Sequence, residues 1–159
     1  MVAGLVVKPF RSLPEDIWAL LESSRSEGHN LVERLVDDWR VGSNRFDRRG
    51  ELACEARLGS KLVAVGGLNQ DPYLDDPDVG RIRHVYVVPE ARGQGVGRAI
   101  VTSLVDHARD HFTRVRLRTT GPGSSEFYLQ IGFEEVPDEE GSTHQIELLQ
   151  GPSPPYSRR

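Results

Sequence analysis

Cysteine, lysine and long apolar runs are what this sequence has least of. A lone Cys54 among 159 residues excludes an internal disulfide and suits a reducing compartment. It alternates with Leu52 and Ala56, so it reads as a small buried side chain rather than a reactive thiol. No apolar stretch reaches the length of a membrane helix, and Met1 to Val7 is too short for the apolar core of a signal peptide. A soluble, cytoplasmic chain is expected, with no membrane partner. Only Lys8 and Lys61 stand against 18 arginines, and the formal net charge is −4. With no positive field, and no aromatics interleaved with Arg114, Arg116 and Arg118, nucleic acid is not an expected partner.

What the chain does have is regular alternation of short strands and amphipathic helices. Leu5 to Val7 reads as a strand. Ser12 with Glu15, and Asn30 with Glu33, have capping-box spacing ahead of two helices carrying Leu13, Ile17, Leu20 and Leu21, then Leu31 to Trp39. Leu52, Cys54, Ala56 and Leu58 alternate with Glu51, Ala53, Glu55 and Arg57, which predicts a strand with one polar face. Gly59-Ser60 turns it back into a strand from Lys61 to Leu68, and Gly66-Gly67 within that strand predicts a bulge or a close backbone approach. After an acidic loop, Arg81 to Val88 predicts a fourth strand. A helix to about His111 follows, then a strand at 114–120. Ser124 or Ser125 heads a short helix with Phe127, Tyr128 and Ile131, and a last hairpin folds around 138–141. This order predicts an α/β domain over 1–149, with a mixed sheet of about seven strands and about four helices. The proline-rich segment 150–159 is expected to be a disordered tail.

The most informative stretch runs from Val85 to Arg98. A buried strand ends at Pro89, and Val96, Ile100, Val101, Leu104 and Val105 then recur at helical spacing. Between them, Gly93, Gly95 and Gly97 let the backbone pass close to a ligand. Unpaired amides at a helix start suit a phosphate. Walker A would need Lys-Ser/Thr after its last glycine, and the dinucleotide fingerprint would need glycine at 98; neither is met. What fits is Arg-x-x-Gly-x-Gly, filled by Arg92, Gly95 and Gly97, after a strand ending Val-x-Pro.

This loop resembles the pyrophosphate loop of the GNAT family of acyl-CoA-dependent N-acyltransferases. Phe127-Tyr128-Leu129-Gln130-Ile131-Gly132-Phe133 resembles that family's F-Y-x-x-x-G-F segment. The resemblance extends from about residue 5 to 149. It implies the GNAT fold and acetyl transfer from acetyl-CoA, as co-substrate, to a small amine or a protein amino group by direct attack. It implies no metal, and it makes a homodimer a common assembly. It assigns the pyrophosphate to Gly93, Gln94, Gly95, Val96, Gly97 and Arg98 with Arg92, and the pantetheine arm to Val85, Tyr86 and Val87. Ser124 is a further cofactor candidate. Tyr128 matches the family's proton donor to the departing thiolate, and a phenol with an ordinary pKa near 10 is protonated at pH 7.

Two departures stand out. Arg81 occupies the strand start where many relatives have glutamate, and Gly121 replaces the usual asparagine seven residues before the tyrosine. Candidate bases are therefore His84, Asp71 and Asn69, acting directly or through water. Trp39, Asn44, Arg45, Phe46, Asn69, Asp71 and Tyr73 are plausible acceptor-pocket residues, and the acidic 71–78 loop would favour a cationic amine. A non-catalytic acyl-CoA-binding protein of the same fold is the competing reading.

Overall fold

The computed structural model describes residues 2–139 and 141–148. Twelve elements follow in chain order: β1 (Leu5–Pro9), α1 (Ile17–Ser26), α2 (Leu31–Val41), β2 (Leu52–Leu58), β3 (Lys61–Gln70), β4 (Val79–Val87), a 3-10 turn (Pro89–Ala91), α3 (Val96–Ala108), β5 (Arg114–Leu117), α4 (Pro122–Ile131), β6 (Glu134–Glu139) and β7 (Ser142–Glu147). The strands form one sheet in the order β1-β2-β3-β4-β5-β7-β6. All neighbours are antiparallel except β4 and β5, which the α3 crossover makes parallel. This is the mixed seven-stranded sheet with four helices that the order of elements predicted. The tail expected at 150–159 lies outside the described residues. No helix among the described residues is long and apolar enough to cross a membrane.

The two faces of the sheet are easiest to see at Gly66 and Gly67, because adjacent strand residues point to opposite sides. A Cβ on Gly66 would lie 2.7 Å from Ile100 Cγ2 of α3, and one on Gly67 would lie 2.4 Å from the Phe46 ring. One face is thus covered by α3, whose Val96, Ile100, Val101, Leu104 and Val105 are buried. The other is covered by α1, α2 and the segment holding Phe46. The close approach expected at the glycine pair is met, whereas the bulge falls on the facing strand. Register also shifts between Val65 and Gly67 against β4, where His84 takes φ +60. Two β4 residues there oppose one on β3, which is a bulge.

Several local expectations are corrected. α1 begins at Ile17, because Asp16 gives its carboxylate to Arg57 at 2.8 Å instead of to a cap, and the Ser12/Glu15 box does not form. α2 starts after Asn30 as predicted, but Glu33 pairs with Arg25 rather than closing a box. α4 starts at Pro122, so Ser124 and Ser125 fall inside its first turn. The predicted polar face of β2 is covered: Ala53 and Glu55 are buried, and Glu55 accepts from Arg57 Nε at 2.5 Å. Cys54 is 2% exposed, as its alternation suggested, and burial pushes its thiol up to about 11.

Asp71 is buried at the end of β3, not part of a solvated acidic loop. Its carboxylate lies 3.6 Å from Arg81 and 3.3 Å from Arg116, both buried. Arg81 also donates to Gly141 O at 2.8 Å and faces the Tyr73 ring. Removing the acid leaves two buried cations facing each other, so Asp71→Asn should cost about 3 kcal/mol or more in urea unfolding. Gly67→Ala should cost about 1–3 kcal/mol in the same measurement, because the new methyl overlaps the Phe46 ring.

Candidate active site

β4 and β5 pair only from Val79↔Arg114 to Arg81↔Arg116. Beyond that point they part, and a cleft of about 680 Å³ opens between them. Its walls come from the loop before α3, the edge of β4, the end of β5 with Arg118 and Thr119, residues along α4 from Gly123 to Ile131, and His29 and Leu31 at the start of α2.

The loop end is built for an anion. Gly93 and Gly95 adopt φ +77 and +83, a conformation costly for residues with a Cβ. Gly97 has a different reason: a Cβ there would press on Phe127 Cζ at 3.3 Å and Val87 Cγ2 at 3.4 Å. The amide of Ala99 already bonds back to Gly95 O. The six amides before it, from Gly93 to Arg98, make no hydrogen bond among the described residues. Unsatisfied donors converging at a helix start fit a pyrophosphate.

Arg92, by contrast, is largely committed within the protein. Its guanidinium forks onto Glu27 at 2.6 and 2.9 Å, and its Nε donates to Val87 O at 3.0 Å. Tyr86 OH also donates to Glu27 at 2.6 Å, and Ser23 lies 2.7 Å from the same hydroxyl. Hydrogen bonds from Arg92, then Tyr86, hold the Glu27 carboxyl down at about 2. Arg92 therefore ties the end of α1 to the loop, leaving Arg98 as the more open cation of the pair.

The remaining candidates divide sharply. Every cofactor candidate except Gln94 lines the cleft, as do Tyr128 and His84. The Gln94 side chain turns back to Glu90 O. Tyr128 is wedged edge-on between Phe127 and Phe133, with ring centroids at 4.9 and 5.5 Å. Burial pushes its phenol up, its hydroxyl makes no hydrogen bond among the described residues, and the residue lines the cleft. α4 is held from behind by Ser125 Oγ, which donates to Glu135 and lies 2.9 Å from His144 Nε2.

The acceptor candidates are elsewhere. Trp39 and Phe46 are buried in an aromatic stack that continues to Phe10. Asn44 makes an Asx turn to Phe46 N, Arg45 donates to Trp39 O, and Asn69 is buried behind β4. Asp71 is locked between two arginines, and Tyr73 covers Arg81 on the outside. None of these seven lines the cleft. The residues that do, and that the sequence reading missed, include His29, Leu31, Arg83 and Phe127. Arg83 carried a signal: it shares the strand of His84, one residue ahead of the bulge.

His84 lines the cleft at 6% exposure, edge-on to Phe46, and its Nε2 has no hydrogen-bond partner. Desolvation, then the charges of Arg83 and Arg34, lower its pKa to about 3. A base so weak accepts a proton poorly near neutral pH, so the imidazole is better suited to hydrogen bonding than to general-base work. The unfolded chain takes up a proton near 6.5 while the folded chain resists it, so stability is lost as pH falls below that value. Urea unfolding at pH 7 and pH 5 should show a loss approaching about 1 kcal/mol per pH unit, reduced in His84→Asn. Asparagine is chosen because it tolerates positive φ.

The sequence matches the Acetyltransferase (GNAT) family model over residues 14–133. An uncharacterized N-acetyltransferase of Methanocaldococcus jannaschii is 31% identical over 92 residues, 56% of this chain and 41% of that protein. An amino-acid acetyltransferase of Mycobacterium tuberculosis is 29% identical over 134 residues, 77% of this chain and 72% of that protein. A crystal structure of a presumed acetyltransferase from Exiguobacterium sp. 255-15 superposes with TM-score 0.81 at 30% identity, covering 90% of this chain and 93% of the other. With the loop, the parted strands and the family match all in register, the chain belongs to the GNAT family of acetyltransferases.

Proposed function

We propose that this protein is an acetyl-CoA-dependent N-acetyltransferase in which a primary amine attacks the thioester directly and Tyr128 protonates the leaving thiolate. One observation carries the reading: the six unbonded amides of the loop, Tyr128, and the stretch of β4 that β5 leaves beyond Arg81 all line one cleft. The loop amides and Arg98 would hold the pyrophosphate. Backbone groups of Val85 to Val87 would pair with the amides of the pantetheine arm and polarise the thioester carbonyl, since β5 does not occupy that edge.

The amine nitrogen bonds to the carbonyl carbon, the carbon–sulfur bond breaks, sulfur takes the Tyr128 proton, and the phenol is restored by the proton the amine sheds. A phenol raised above its ordinary pKa stays protonated and ready across neutral pH. Deprotonating a lysine-like amine with a pKa near 10.4 at pH 7 costs about 4–5 kcal/mol, so an amine of lower pKa, or one whose proton leaves through water, suits a cleft without a strong base.

The test is release of free thiol from acetyl-CoA across a panel of amines, with calorimetry for acetyl-CoA binding. Tyr128→Phe should lower kcat by roughly a hundredfold or more with little change in acetyl-CoA affinity. Turnover that is unaffected by this change would remove Tyr128 from the chemistry. Tight acetyl-CoA binding without turnover of any amine would favour the non-catalytic binding protein.

A further inference from the structure

The charge on the cleft walls is one-sided. Four arginines line it, and no aspartate or glutamate does among the described residues. Arg92 and Arg98 belong to the loop end. Arg118 follows β5, and Arg83 lies on β4 next to His84; His29 lines the same cleft. Arg83 forms no ion pair or hydrogen bond with another described residue. Arg34, exposed on α2, opposes protonation of His84 together with Arg83 but does not line the cleft. Three acids are engaged elsewhere and do not pair with Arg83: Glu27 with Arg92, Glu33 with Arg25, and Asp71 with Arg81 and Arg116.

A guanidinium without a counter-ion on the cleft wall disfavours a second cation and favours a carboxylate, which it can grip with paired hydrogen bonds. The same field also disfavours the ammonium form of a bound amine, making the neutral nucleophile easier to reach. His84 Nε2, buried and without a partner, is a polar atom available to orient that amine.

Resting on the acetyltransferase reading, we infer that the acceptor is an amine that also carries a carboxylate, held by Arg83 with its nitrogen turned toward the thioester beside His84. This reverses the cationic acceptor suggested by the acidic 71–78 loop, whose Asp71 faces away from the cleft into a buried ion cluster.

The experiment compares amino acids with their carboxamides, and with spermidine, by thiol release from acetyl-CoA. At least one amino acid should exceed its amide and spermidine by roughly tenfold or more in kcat/KM. Arg83→Gln should raise the KM for that amino acid by roughly ten- to a hundredfold while leaving the KM for acetyl-CoA unchanged, and Arg83→Lys, which keeps the charge, should recover part of the loss. The charge-keeping variant, with the unchanged KM for acetyl-CoA, separates lost recognition from misfolding. Equal or better use of amides or spermidine, or an acceptor KM unmoved in Arg83→Gln, would overturn this inference and leave the enzyme reading standing. No turnover with any acceptor, with acetyl-CoA still bound, would overturn both.

Discussion

The point on which the architecture turns is the cluster of Asp71, Arg81 and Arg116, placed where β4 and β5 make their last paired contact. Below it the strands form a continuous sheet, and above it they diverge. A fork of this kind exposes backbone donors and acceptors on two strand edges, and those edges stay open only if the crotch is fixed. One carboxylate shared by guanidiniums from both strands does this, with Gly141 O drawing the β6–β7 turn onto the same site. Burying three charges is costly in itself. The return is geometric: a cleft whose width is set at its base by groups that cannot easily separate.

A second tie acts at the opposite end. Glu27, just after α1, receives Arg92 and Tyr86 together, so loop, strand and helix meet at one carboxylate. The β4 bulge lies between these two anchors. By placing an extra residue against Gly66, it turns His84 into the cleft while its ring still contacts Phe46 on the core side. A strand in unbroken register would bury that imidazole fully or expose it. The irregularity thus links the packing of α2 to the place where the acceptor nitrogen would arrive.

The loop and its strand were legible from sequence because their meaning is local. Glycines at 93, 95 and 97 constrain their own backbone, and a strand–turn–helix needs no distant partner to be recognised. The acceptor side was not legible for the opposite reason. Trp39 and Phe46 look like pocket aromatics until Gly67, some twenty residues on, makes room for the Phe46 ring against the sheet. Asp71 looks like a solvated loop acid until Arg116 arrives from another strand. Arg83 looks like any strand arginine until its neighbours' carboxylates are all seen to be taken. Each misreading concerns a pairing across the sheet, which periodicity along the chain does not encode.

Cys54 has a practical consequence for work on this molecule. The side chain is sealed between strands and α3, and its thiol is held well above neutral titration. A thiolate-seeking dye added to the folded protein therefore has little to react with on the polypeptide. Colour developing during turnover then counts departing coenzyme, with almost no protein background. In the absence of substrate, slow labelling of that one position instead reports how often the sheet opens, giving a local clock for breathing of its central strands.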